Sequence, residues 1–83
     1  MNWYVYILEC NDGTLYTGIT TNIERRLNQH NKGIGARYTR GRGPVKLIYT
    51  EEQPNRRTAS KRELLIKNMS KEQKLILGSG WNG

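Results

Sequence analysis

Trp3-Tyr4-Val5-Tyr6-Ile7-Leu8-Glu9-Cys10, then Asn11-Asp12-Gly13, then Thr14-Leu15-Tyr16-Thr17-Gly18-Ile19-Thr20-Thr21 is the stretch on which the fold turns. Aromatic and β-branched residues on both sides of Asn-Asp-Gly predict a β-hairpin, because those side chains suit a pleated surface and glycine tolerates the positive φ of a tight loop. A loop over residues 11–13, closed by Gly13 in the left-handed region, makes Cys10 and Thr14 partners and sets the register. Tyr6 then lies opposite Gly18 and Tyr16 opposite Leu8. Alternation puts Tyr4, Tyr6, Leu8, Tyr16 and Gly18 on one face, and Val5, Ile7, Leu15, Thr17 and Ile19 on the other. A two-residue loop would instead separate the two tyrosines to opposite faces. Gly18 leaves a notch opposite Tyr6 that a larger side chain would fill and that a ligand backbone can approach.

Thr21 followed by Glu24 forms a capping-box pattern and predicts a helix from Asn22 to about Lys32, stopped by Gly33 and Gly35. Arg26 and His30, four residues apart, stack on that helix beside the apolar stripe of Ile23 and Leu27. Residues 33–43, with four glycines and Arg37, Arg40 and Arg42, read as a loop around a short helical turn. Pro44 opens a third strand, Val45 to about Glu51, in which Val45, Leu47 and Tyr49 alternate with Lys46, Ile48 and Thr50. A helix over 56–69 carries Ala59, Arg62, Glu63, Ile66 and Met69 along one broad side, where Glu63 is the odd member. Ser70 with Gln73 makes a second capping box for a last helix through Leu77 that Gly78 ends, leaving 79–83 as a loose tail.

An 83-residue chain holds one domain, so any chemistry shares residues with a single small core. Fourteen Lys and Arg against seven Asp and Glu give a formal charge of +7, with Arg the commoner cation, which points to a polyanionic partner. The lone Cys10 excludes an internal disulfide, and one Cys with one His falls short of a structural zinc site. No apolar run approaches the roughly 20 residues of a membrane span, so a cytoplasmic protein without membrane contact is expected.

Hydrolysis of a phosphodiester needs a base or an oriented water, a cation beside the developing charge, and an acid or metal for the leaving oxygen. Tyr6 and Tyr16, Arg26, His30 and Glu63 are the residues that fit these tasks. A tyrosine with a reference pKa near 10 needs about 4 kcal/mol of preferential phenolate stabilisation to reach 7, and Arg26 with a divalent cation are the available agents. Each residue also has a plainer reading. The tyrosines pack in a sheet with wet hydroxyls, Arg26 snorkels past Leu27, and His30 favours a helix C-terminus. Glu63 either binds Mg²⁺ or Mn²⁺ through oxygen or pairs with Lys67 or Arg62.

Tyr4-Val5-Tyr6, Tyr16-Thr17-Gly18, the ten residues from Tyr16 to Arg26, the Ala36-Arg37-Tyr38-Thr39-Arg40 stretch and the Arg62-Glu63 helix add up to one pattern. Over residues 3–78 the chain resembles the GIY-YIG nuclease domain, and in particular its small stand-alone bacterial members (UPF0213-like). The resemblance implies an α+β fold, a three-stranded antiparallel sheet flanked by helices. It also implies a site in which Tyr6, Tyr16, Arg26 and Glu63 act together, with His30 at a position that is often polar and site-facing. The first motif lacks its leading glycine, and Ile19 stands where some repair-type relatives place a lysine.

The expected activity is hydrolysis of DNA dependent on one Mg²⁺ or Mn²⁺ ion, held by Glu63 and weakly bound without substrate, with weak or shape-based selectivity. Gly18, Arg37, Arg40, Arg42, Arg56 and Arg57 are the expected nucleic-acid contacts. RNA is the alternative polymer, and a protein partner an alternative source of target choice, since a chain of this length is not expected to carry an accessory recognition domain. The alternative function is nucleic-acid binding with little or no turnover.

Overall fold

Residues 2–81 are described by a computed structural model of the chain. The hairpin forms in the expected register. β1 (Trp3–Glu9) pairs antiparallel with β2 (Leu15–Thr20), Tyr6 facing Gly18 and Leu8 facing Tyr16. Gly13 closes the loop at φ +85, and the Cys10 N–H donates to Thr14 O at 2.8 Å. β3 (Lys46–Gln53) pairs with the other edge of β1, giving a three-stranded antiparallel sheet of order β2-β1-β3.

The third strand departs from simple alternation. Ile7 faces Tyr49 while Leu8 faces Leu47, so Ile48 is an extra residue and the phase resets there. Leu47 packs on the Tyr6 face, whereas Ile48 and Tyr49 both pack on the opposite face. Tyr49 therefore does not share a face with Val45 and Leu47.

Two apolar clusters, one on each face of the sheet, follow from the alternation in β1. Val5 and Ile7 pack with Ala59 and Ile66 of α2 (Arg56–Lys67), and Tyr6, Leu8, Cys10 and Val45 pack with Ile23 and Leu27 of α1 (Ile23–Asn31). The α1 cap is Asn22 rather than Thr21. Its side chain accepts from the Arg25 N–H at 2.9 Å, while Thr20 Oγ1 accepts from the Asn22 N–H at 3.1 Å and holds the cap in extended backbone. Asn55 caps α2 in the same way, and Ser70 with Gln73 forms the expected capping box of α3 (Lys71–Ser79).

Gly78 lies inside α3 rather than ending it. A Cβ there would come within 2.9 Å of Ile48 O, so the glycine lets the helix cross directly over the bulge. Ser79 closes the helix and the Trp81 N–H donates to Gly78 O, while residues 82–83 of the expected tail lie outside the described residues.

A polar cluster ties β3 to α2. Arg62 Nε donates to both Glu51 oxygens at 3.0 and 2.9 Å, and Tyr49 and Gln53 donate to the same carboxylate. These bonds and the Arg62 charge hold the Glu51 carboxyl below its ordinary pKa despite its burial. Glu51→Ala leaves the Arg62 guanidinium and the Tyr49 hydroxyl without their acceptor, and a loss of about 1–3 kcal/mol in urea denaturation is expected.

Candidate active site

The hairpin and α1 bring four of the five expected catalytic residues into contact. The Tyr6 hydroxyl lies 2.9 Å from His30 Nε2, and Arg26 Nε donates to the same hydroxyl at 3.4 Å. The Tyr16 ring packs against both, its centroid 6.3 Å from Tyr6 and 5.2 Å from His30. The two residues one helical turn apart on α1 thus converge on one phenol, as their spacing requires.

Gly18 makes this packing possible. A Cβ at that position would lie 2.5 Å from the Tyr6 hydroxyl and 3.0 Å from Tyr16 Cε2. The notch opposite Tyr6 is occupied by the phenol itself, and Gly18 is buried beneath it. Arg26 is half-buried, and its Nη1 donates to Gln29 Oε1 at 3.0 Å. Among the described residues no carboxylate forms an ion pair with it.

Burial decides the protonation states. It pushes the Tyr6 phenol up to about 12, against the opposing hydrogen bond from Arg26. The arginine alone does not produce a phenolate at neutral pH, because desolvation of the ring outweighs one long hydrogen bond. Burial also pulls His30 down to about 4, helped by the positive charge of Arg26, so the imidazole is neutral at pH 7.

The sign of the resulting stability effect is fixed. His30 binds its proton more weakly folded than unfolded, so its neutral form contributes stability that is complete above about 6.5 and is lost as pH falls toward 4. Urea denaturation midpoints are expected to decline across that interval, and His30→Gln is expected to flatten the decline. An unchanged slope in the variant contradicts the assignment.

Glu63 stands at the border of this site. Its charge contributes to raising the Tyr6 phenol, and Lys67 Nζ lies 3.4 Å from Oε2. Of its two expected roles, the ion pair with Lys67 one turn along the helix is the one present. Arg62 pairs with Glu51 instead. Among the described residues no group of three His, Cys, Asp or Glu side chains gathers to hold a metal. Glu51 and Glu52 are engaged by Arg62 and Asn2 respectively.

The outer arginines differ in how free they are. Arg37, Arg40 and Arg57 are exposed, Arg56 lies over the Trp3 ring at 5.6 Å, and Arg42 pairs with Asp12 while lying 4.6 Å from the Tyr38 centroid. Tyr38 in turn stacks on Tyr16 at 5.9 Å. Beside Arg26 opens a cleft of about 250 Å³, lined by Trp3, Ile19, Thr20, Thr21, Arg25, Arg26 and Gln29.

Sequence reasoning missed Gln29, Arg25 and Thr39. Gln29 lies three residues after Arg26 on α1, a relation visible in helical spacing, whereas Arg25 precedes it and lines the neighbouring cleft. Thr39 meets His30 only because the glycine-rich loop folds back, which no local pattern announces.

Residues 2–75 match the family described as the GIY-YIG catalytic domain. The chain is 58% identical over 74 residues to UPF0213 protein CPE1444 of Clostridium perfringens, covering 89% of this chain and 80% of that protein. It is 52% identical over 74 residues to UPF0213 protein VNG_2274C of Halobacterium salinarum, covering 89% and 96%. The solution structure of UPF0213 protein BH0048 from Bacillus halodurans is similar at TM-score 0.60 and 49% identity, covering 95% of this chain and 84% of that one. The solution structure of EF2693 from E. faecalis is similar at TM-score 0.63 and 44% identity, covering 92% and 81%. With the motif tyrosines side by side on the expected hairpin and the match spanning nearly its whole length, the chain belongs to the GIY-YIG family, whose catalytic domain is of nuclease type.

Proposed function

We propose that the chain hydrolyses phosphodiester bonds in DNA, selecting by shape more than by sequence. The observation that carries this reading is the Tyr6 hydroxyl held between a base, His30 Nε2 at 2.9 Å, and a cation, Arg26 Nε at 3.4 Å. The Tyr16 hydroxyl forms no hydrogen bond among the described residues, so it is the group left to orient the attacking water.

As the water oxygen attacks phosphorus, its proton passes to the Tyr6 oxygen while the Tyr6 proton passes to His30 Nε2. The phenol remains neutral on either side of the step, which suits a site that burial makes hostile to phenolate. A bound phosphate offsets the Arg26 charge, one of the two causes that depress His30, and so makes the imidazole a better base as substrate arrives. Arg26 then faces the developing charge on the phosphoryl oxygens. The bond to the leaving oxygen breaks as the new bond forms.

Glu63 fits a divalent ion shared with substrate, because one carboxylate plus phosphate and water suffices for Mg²⁺ or Mn²⁺. Such an ion supplies Lewis-acid stabilisation at the leaving oxygen. Its affinity without DNA should be weak, since among the described residues no group of three His, Cys, Asp or Glu gathers to hold it and Lys67 competes for Glu63. Arg37, Arg40, Arg56 and Arg57 lie where a backbone phosphate can reach them, and Arg42 contributes less because Asp12 already holds it.

The raised phenol and the lone carboxylate favour one alternative, a nucleic-acid-binding protein with little turnover, acting on DNA or RNA alone or beside a protein partner. Incubation with flap, branched, single-stranded and duplex DNA, with and without Mg²⁺ or Mn²⁺, separates the two. Metal-dependent cuts that disappear in Glu63→Ala are expected; binding without cuts on every substrate contradicts the enzyme.

A further inference from the structure

The segment after α1 encloses the His30 ring. Gly33, at φ +78, turns the chain back, and a Cβ at Gly35 would lie 2.5 Å from His30 Nδ1 and 2.7 Å from Cγ, so a glycine is needed where the backbone passes. Four residues on, Thr39 is 1% exposed and sets Oγ1 2.7 Å from His30 Nδ1 and 3.1 Å from the Ala36 carbonyl oxygen.

The proton positions follow from what each group is able to donate. A carbonyl oxygen only accepts, so the Thr39 hydroxyl proton goes to Ala36, and its oxygen is left to accept a proton from Nδ1. At the other side of the ring a guanidinium only donates. The Tyr6 oxygen accepts from Arg26, and the Tyr6 proton has Nε2 as its acceptor. In the opposite tautomer the Tyr6 oxygen would accept from both Nε2–H and Arg26, the Tyr6 proton would have no acceptor among the described residues, and the Ala36 oxygen would keep only the Arg40 N–H at 3.2 Å. One arrangement satisfies every group in the chain from Arg26 to Ala36.

We propose that Thr39 is a positioning residue that holds His30 as the Nδ1–H tautomer, so that Nε2 presents its lone pair to the Tyr6 hydroxyl. Thr39 has no place beside substrate; it acts through His30, and its effect on cleavage rests on the hydrolytic reading given above. The tautomer itself does not. A ring free to exchange tautomers or to turn would spend part of its time with an N–H facing Tyr6, unable to take the phenol proton.

His30 is the only histidine, so a ¹⁵N-labelled chain gives one pair of ring-nitrogen signals. At neutral pH the wild type is expected to show a protonated Nδ1 and an unprotonated Nε2. Thr39→Val keeps the side-chain shape without the hydroxyl and is expected to move both shifts toward averaged values, and Thr39→Ser to restore them. In single-turnover cleavage Thr39→Val is expected to be slower by about 10–100-fold with DNA affinity unchanged, and Thr39→Ser to recover most of the rate.

A wild-type spectrum with the proton on Nε2 overturns the proposal, and this measurement requires no variant to fold. Wild-type nitrogen shifts in a folded Thr39→Val, or a shifted tautomer with a wild-type cleavage rate, overturn it equally. A wild-type chain that cleaves nothing overturns the hydrolytic reading instead, and the nitrogen shifts then decide the tautomer alone.

Discussion

Tyr6→Phe is expected to lower single-turnover cleavage by about 10²–10⁴-fold, the range associated with losing a positioned proton-transfer group, while DNA affinity stays close to wild type. The substitution removes one oxygen and leaves the ring that fills the space beside Gly18. That oxygen is the sole link between Arg26 Nε and His30 Nε2. Without it the proposed path of the water proton to the imidazole is cut. Binding should survive, because the exposed cations that would meet the DNA backbone lie elsewhere. The variant also strands the buried Nε2, with a stability loss of about 1–3 kcal/mol, so circular dichroism must accompany the assay. A folded Tyr6→Phe that cleaves at the wild-type rate removes Tyr6 from the proton path.

The legible parts of this chain are those written in local chemistry. Asn11-Asp12-Gly13 fixes a loop length, the loop length fixes the register, and the register alone brings Tyr6 and Tyr16 to one face. Arg26 and His30 follow from helical spacing. What escaped was set by contacts between distant segments. The extra residue at Ile48 inserts a phase change with no mark in the sequence, and α3 crosses that point with Gly78, which by composition looked like a helix stop. Asn22 displaced Thr21 as the cap because Thr20 could hold it, a competition among three adjacent polar residues.

The site shows the same division. Its members were readable as residue types at characteristic spacing, but the direction of the Tyr6 shift was not. Arg26 suggested a lowered phenol, whereas the ring is enclosed by Tyr16, His30 and α1, and desolvation prevails. The Arg62–Glu51 pair was likewise hidden, because it depends on where β3 lies against α2.

Arg26→Ala is expected to reduce single-turnover cleavage by about 10²–10³-fold, the loss typical of a group aimed at developing charge, and to weaken DNA binding much less. Its guanidinium is half-buried, oriented by Gln29 and by the Tyr6 hydroxyl, and no carboxylate among the described residues forms an ion pair with it. A charge so held strengthens its contact most when the phosphoryl group becomes more negative in the transition state. Arg40 is exposed on the loop, where a contact with phosphate would be as strong before the reaction as during it.

That contrast tests the assignment of a catalytic site within a basic surface. Salt-dependent affinity and single-turnover cleavage are measured for Arg26→Ala beside Arg40→Ala. Arg40→Ala should weaken binding, lower the slope of log binding constant against log salt by up to about one, and leave cleavage of bound DNA near wild type. Arg26→Ala should lose turnover far in excess of affinity. Equal losses for the two variants in both assays contradict the account, for they make Arg26 one more surface cation.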